Sequence, residues 1–476
     1  MRTLMTGGAI LALAGAAAAD TITVPGQQPT IQAAVNAAQA GDTIAVSAGV
    51  YKENVTSALD GLVFKGMGAV IDGNIAGVDG ANLTITGNGV TVQGFTFRNG
   101  DDQLTITGAD AKVTKCVFID AGNDGLVHSG TNGSVSSCRF LGAFNNGIQG
   151  NGSDGLLILK NIFRQVGANG ASITGNGVVA TSNQFTNIED TDGILINGTG
   201  AVVSRNKFTA ISDEGIGIAG DTARVEKNKF TFIDGDAVVV SGNTAIVSTN
   251  KLSYINGRGV SVTGDTATVT SNKIAYTFND GIDVAGDNAT ISLNTVRFTV
   301  DDEDGIRLTL NATGGGTIEG NRVDDAANNG FVITSNNVIV RGNSANRCGS
   351  DGQSGFLVVG DANTLENNTA VECDTAGFQV TGDTNQFDTC VSKKAFADGF
   401  RVNGGSDANV FDNCSATGSG GEGFDNRGTN TQLPRGTYLK NRIDIANDVI
   451  GGATILGGTT NVNFQTGGIG TQPEVD

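Results

Sequence analysis

A segment of about twenty-two residues recurs along most of this chain, and a period of that length is a supersecondary unit that must stack on its neighbours to bury its apolar face. Each copy reads Asp, Asn or Glu before Gly, an alternating apolar run, Gly with Asp or Asn, a second run, then Asn and Phe. Asp192-Gly193-Ile194-Leu195-Ile196-Asn197-Gly198 with Asn206-Lys207-Phe208 is followed by Glu214-Gly215-Ile216-Gly217-Ile218-Ala219-Gly220 with Asn228-Lys229-Phe230. The opening glycine returns at Gly125, Gly147, Gly170, Gly193, Gly215, Gly259, Gly281, Gly305, Gly330, Gly355, Gly377, Gly399 and Gly423, with Ala237 in its place once. Between Gly281 and Gly355 the step lengthens, which is where a solenoid places loops on one face.

The composition agrees with strands. Gly at 72 residues undermines helices, whereas frequent Val, Ile and Thr suit sheets, and there is no Trp. The in-register apolar positions exclude a low-complexity disordered chain. Length alone suggests several domains, but an unbroken repeat predicts one elongated domain over 20–446, with 447–476 as an irregular cap or tail.

The N-terminus carries Arg2, a small apolar run from Ala9 to Ala16 and the small-residue site Ala17-Ala18-Ala19. That pattern predicts a signal peptide over 1–19 and a secreted or periplasmic mature chain. Its removal takes Arg2 away and shifts the formal net charge from −19 to −20. Such an acidic surface disfavours nucleic acid and anionic lipid as partners. It disfavours polyanionic substrates as well, unless a divalent cation bridges them.

Alternation assigns the core by columns. Ile194 and Ile196 point inward, as do Ile216 with Ile218 and Val238 with Val240. Phe118, Phe140, Phe163, Phe185, Phe208 and Phe230 form another column, continued by Leu252, Ile274 and Val296, so the Phe stripe reads as stacked core. Two residues earlier, Asn161, Asn183, Asn206, Asn228, Asn250, Asn272, Asn294, Asn321 and Asn343 form a ladder of amides that can hydrogen-bond to one another and tolerate a left-handed bend. Before the repeats, Thr30 to Ala38 has helical spacing, and Asp42 to Val46 and Gly49 to Val55 switch to strand alternation. A short helix there would cover the first rung and protect its open edge.

Three short strands per turn, Gly- and Asn-rich bends and a capping helix describe a parallel β-helix. At this point the chain resembles the pectin-lyase-like right-handed parallel β-helix superfamily, over roughly Thr21 to Ala446. Its entry segment, Thr30-Ile31-Gln32-Ala33-Ala34-Val35 through Gly41-Asp42-Thr43-Ile44 to Gly49-Val50-Tyr51-Lys52-Glu53, is similar to the start of many members. The resemblance implies an all-β solenoid, and a function among polysaccharide lyases, hydrolases, esterases, epimerases and non-catalytic surface proteins. Signatures of three of these classes are missing: Gly-His-Gly with paired Asp for the hydrolases, Asp-Pro-His for alginate epimerases and Gly-x-x-Asp-Phe-Ile-Phe-Gly for pectin methylesterases. The only histidine, His128, occupies an inward position and reads as core.

What remains is an acidic corner before the opening glycine: Asp190, Asp192, Asp213, Glu214, Asp234, Asp236, Asp280, Asp301, Asp302, Glu303, Asp304, Asp324 and Asp325. Asp-Gly and Asn-Gly are also ordinary turn dipeptides, which gives the stripe a purely structural reading. In β-helix lyases the resemblance places the substrate groove at this corner and on the strand after it. Asp283 and Arg307 then share one outward position in neighbouring rungs, with Arg258 at the corner one rung earlier. A calcium-assisted site for β-elimination of a uronate polymer would draw Ca²⁺ ligands from Asp280, Asp283, Asp302 and Asp304 and a base from Arg307, with Asp280, Asp283, Arg258 and Asp304 contacting substrate. Lys207, Lys229, Lys251 and Lys273 form a basic stripe on another corner, read as a solvated face or an anion track.

The six cysteines fall into pairs one rung apart: Cys116 with Cys138, Cys348 with Cys373 and Cys390 with Cys414. Stacked Cα atoms near 4.8 Å permit disulfides, and a ladder of free thiols fits equally well. The sequence thus supports two functions. One is a polysaccharide-binding or polysaccharide-cleaving protein. The other is a structural or adhesive cell-surface solenoid, and the scarcity of aromatics outside the Phe core favours non-catalytic polysaccharide binding or structural work over a catalytic role.

Overall fold

A computed structural model describes residues 19–73, 80–301, 303–309, 314–350 and 352–447, and beyond them the short strands Ala453–Ile455, Thr459–Asn461 and Phe464–Thr466. Residues 1–18, most of the expected signal peptide, lie outside the described residues, as does Asp302. The chain winds through about 19 turns of right-handed parallel β-solenoid. Each rung gives one strand to each of three sheets, and every strand pairs in parallel with its counterpart one rung later. In one rung these are Ile194–Asn197 in the first sheet, Val202–Ser204 in the second and Lys207–Ile211 in the third. Their partners are Ile216–Ala219, Arg224–Glu226 and Lys229–Ile233.

The expected cap is present. Thr30 caps the helix Ile31–Ala37, its hydroxyl accepting the Ala33 N–H at 3.1 Å, and buried Ile31, Ala34 and Val35 cover the first rung. Glu53 fixes the helix start, its carboxylate accepting the N–H groups of Ile31 and Gln32, both at 3.0 Å. At the far end, strands after Ala446 continue the stack: Thr459–Asn461 pairs with part of Thr431–Leu439, and Phe464–Thr466 with Ile443–Asn447.

The Phe column is a stacked core from Phe97 to Phe230, with successive ring centroids 4.5–5.1 Å apart. It dictates the opening glycine. A Cβ on Gly170 would meet Phe185 Cδ1 at 2.4 Å, and one on Gly193 would meet Phe208 Cδ1 at 2.6 Å. These glycines do not have positive φ, so the repeated Asp-Gly is not the turn dipeptide that its composition suggests. The position tolerates Ala237 in the rung where the column switches from Phe to Leu252. A second stack, Phe331, Phe356, Phe378 and Phe400, fills the first sheet's side of the later rungs.

The Asn ladder forms as expected. Each buried amide accepts both the backbone N–H and the side-chain N–H of the preceding rung's Asn: Asn228 Oδ1 takes Asn206 N at 2.9 Å and Asn206 Nδ2 at 3.1 Å. The left-handed bend, however, falls on the residue before each Asn, at Arg205, Lys227, Thr249 and Ser271. The Asn side chain is the clamp, and its predecessor makes the turn.

Candidate functional site

The corner between the third sheet and the first holds a second ladder. The residue before the opening glycine offers a side-chain oxygen to the backbone N–H at the same position one rung on. Asp124 Oδ1 accepts from Asn146 at 2.8 Å, Asn146 Oδ1 from Asn169 at 3.1 Å, and Asn169 Oδ1 from Asp192 at 3.2 Å. Asp192 Oδ1 accepts from Glu214 at 3.2 Å, Asp280 Oδ1 from Asp304 at 2.9 Å, and Asp304 Oδ1 from Asn329 at 3.0 Å. Much of the acidic stripe is therefore a ladder that satisfies corner amides. Asp324 belongs elsewhere: it is buried on the third sheet, 3.0 Å from Arg297 and 2.7 Å from Arg322, and although burial opposes it these cations hold its carboxyl below the usual range.

Arg258, Asp280, Asp283, Asp304 and Arg307 do come together, as an ion-pair network. Arg258 spans Asp236 and Asp283, both at 2.9 Å, and Arg307 spans Asp304 at 2.7 Å and Asp280 at 3.4 Å. Asp283 and Arg307 are register partners across neighbouring strands, as their spacing predicts. The described members of the expected calcium set do not bring three ligand oxygens within 4.8 Å of one another, and the two guanidinium groups pair with these carboxylates instead. The network nevertheless carries a perturbed acid. Burial pushes the Asp280 carboxyl up to about 7 against the pull of Arg307.

Two tighter carboxylate groups lie elsewhere among the described residues. Asp398, Glu422 and Asp425 are accompanied by Arg401, Arg427 and Arg442. Asp192, Asp213 and Glu214 have no cation against them in any ion pair described, and burial, with the neighbouring Glu214, pushes the Asp192 carboxyl up to about 8.

Sequence reasoning missed an external aromatic ladder. Phe232, Tyr254, Tyr276 and Phe298 stand on four successive rungs, 57, 50, 42 and 37 % exposed. Their rings stack at centroid distances of 5.1, 5.1 and 4.8 Å. This corrects the expectation that aromatics are confined to the core. All four backbones are left-handed, with φ of 57–59°. The same column holds Gly142, Gln165, Asn187, Ala210, Asp325 and Arg347, left-handed as well, so the conformation belongs to the bend of the rung and not to the aromatics alone. A left-handed residue other than glycine costs about 1 kcal/mol, and the fold carries that cost at this bend in rungs with and without an aromatic. The signal lay in the sequence as an aromatic four residues before Asp236, Arg258 and Asp280, hidden because strict alternation does not say which way a left-handed residue points.

His128 is wholly buried, its Nδ1 3.1 Å from Ser153 Oγ. Since the Ser153 hydroxyl donates to the His128 carbonyl at 2.7 Å, Nδ1–H is the donor and Nε2 is left without a partner. All six cysteines are free and buried. Their thiols face one another in the expected pairs, with Cys116, Cys138, Cys390 and Cys414 standing in the Asn column.

Comparisons place the architecture. The model of the right handed beta helix region family matches residues 60–191, 192–343 and 299–441, and the chain belongs to that family. No curated protein matches it. Among solved structures it is similar to the Dettilon tailspike protein gp208, at 13% identity and TM-score 0.37, covering 72% of this chain and 68% of that one. It is also similar to a mannuronic acid specific polysaccharide family 6 lyase from human gut microbiota, at 13% identity and TM-score 0.30, covering 80% and 86%. A third is pectate lyase Pel9A, at 17% identity and TM-score 0.25, covering 64% and 78%. At these identities the likeness is one of fold, and it assigns neither residues nor an activity.

Proposed function

We propose that this is an extracellular polysaccharide-binding β-helix whose glycan lies along the solenoid axis, on the flank carrying Phe232, Tyr254, Tyr276 and Phe298. The observation that carries this reading is the exposed, stacked aromatic ladder. Sugar rings present C–H faces that pack on aromatic surface, and a ridge repeating once per rung meets a polymer repeating once per sugar. Arg258, Asp283 and Arg307 lie on the following corner and strand, where ion-paired polar groups can hydrogen-bond hydroxyls at the edge of the ridge. The N-terminal pattern over 1–19 supports export, and among the described residues no helix is long and apolar enough to cross a membrane.

One observation favours a second reading, β-elimination at the neighbouring corner: Asp280, with a carboxyl near 7, sits against Arg307. In that reading Asp280, Asp283, Asp302 and Asp304 hold Ca²⁺ and Arg307 serves as base. The cation would have to displace both arginines from these carboxylates. Incubating the mature protein with a polysaccharide panel, with and without Ca²⁺, tests both readings. Retention on a glycan without ultraviolet-absorbing unsaturated product is expected. Product that disappears in Arg307→Ala would replace binding with the lyase, and no retention on any glycan would refute both.

A further inference from the structure

Three rows run side by side up the outer face of the third sheet. The first is Lys207, Lys229, Lys251 and Lys273, direct register partners from rung to rung. The second is small: Thr209, Thr231, Ser253 and Ala275, again partners in register. The third is the aromatic ladder, one residue further on. Lys229 and Thr231 point outward and Phe230 inward, and the left-handed backbone at Phe232 turns that ring outward as well. The result is a shallow channel parallel to the axis, with an ammonium wall, a floor of small side chains and an aromatic wall. Three residues of strand separate the walls, roughly 10 Å, and the three rungs that carry both walls, Lys229 with Phe232, Lys251 with Tyr254 and Lys273 with Tyr276, give a length of roughly 10 Å. That is room for one extended polymer chain.

We propose that the glycan is a linear polyanion, held with its acidic groups toward Lys229, Lys251 and Lys273 and its ring faces on Tyr254 and Tyr276. The inference rests on the polysaccharide-binding reading and names the class of chain that fits. Its basis is charge. The protein holds 48 acidic and 29 basic side chains, yet none of these four lysines has an acid partner among the described ion pairs. Two acids on flanking strands and rungs are already engaged. Glu226 pairs with Arg224 on the second sheet, and Asp324 with Arg297 and Arg322 beyond the open end of the channel. Like charges stacked directly opposite across parallel strands repel, so a row left without counter-charges is satisfied by a ligand that supplies one anion per rung or two. The surrounding acidic surface then confines that ligand to the channel.

The test measures binding of the mature protein to an acidic linear polysaccharide, a neutral one and single-stranded DNA over a salt series. Lys251→Gln/Lys273→Gln and Tyr254→Asn/Tyr276→Asn are compared with wild type, with melting curves for each. The expected result is binding to the acidic glycan that falls about tenfold from roughly 50 to 300 mM salt. The lysine variant should lose about tenfold and most of the salt dependence, while the tyrosine variant loses binding at every salt concentration. Tyrosine-dependent binding of the neutral glycan, equal to that of the acidic one and indifferent to salt, would overturn the polyanion and leave the binding function standing. No glycan binding at all would overturn both. Preference for DNA over the acidic glycan would assign the channel to nucleic acid and overturn both.

Discussion

At the scale of single residues, packing and ionisation make separate demands. Gly193 leaves room for Phe208, so Gly193→Ala should lower stability by about 1–3 kcal/mol through overpacking, while Ala237→Gly, facing Leu252, should leave a small void and cost about 1 kcal/mol. Denaturant midpoints separate the two. Asp192 and His128 predict opposite pH dependences. A carboxyl raised to about 8 in the fold, against 3.8 when unfolded, binds its proton more tightly in the native state. Its stabilising share is complete below pH 3.8 and is lost as pH rises through 8. Asp192→Asn keeps the oxygen that accepts the Glu214 N–H, as Asn146 and Asn169 do on earlier rungs, and should gain at least about 1 kcal/mol at pH 9 and little at pH 4. His128 runs the other way, because burial lowers its pKa from 6.5 to about 4. Its share is complete above pH 6.5 and is lost as pH falls through 4, so His128→Leu should flatten acid unfolding in that window.

At the scale of elements, two ladders of opposite direction hold the corners. The Asn ladder's oxygens accept from the rung before, and the acidic corner's oxygens accept from the rung after. Asn228→Ala would strand the N–H groups of Asn206 and remove the bond to the Val203 carbonyl at 2.9 Å. It should cost about 2–3 kcal/mol, read as a lower denaturant midpoint with amide exchange accelerated in the adjacent rungs first. The first ladder was legible in the sequence because it uses one residue type at one spacing. The second was not, because Asp, Asn and Glu alternate in it, Arg258 interrupts it, and its acids look like turn residues or metal ligands. The rung period, the inward columns and the capping helix were legible through periodicity, which reports burial. The ion pairs of Arg258 and Arg307, and the outward turn of Tyr254 and Tyr276, depend on side-chain direction at corners, where periodicity is silent.

At the scale of the whole molecule, the solenoid converts one sequence repeat into parallel stripes, each as long as the residues in its column stay alike. Phe and Asn stripes run inside and hold the stack. Outside, the lysine and aromatic stripes coincide on three rungs, Lys229 with Phe232, Lys251 with Tyr254 and Lys273 with Tyr276, and the proposed polymer track runs there. Binding at that track is the central claim, and Tyr254→Asn/Tyr276→Asn tests it most directly. Asn occupies the same left-handed position at Asn187, so the exchange relieves backbone strain of about 1 kcal/mol per site, which offsets the lost stacking. The account predicts a melting temperature within a few degrees of wild type, with glycan affinity reduced at least tenfold in affinity electrophoresis. Glycan affinity unchanged in that folded variant would contradict it.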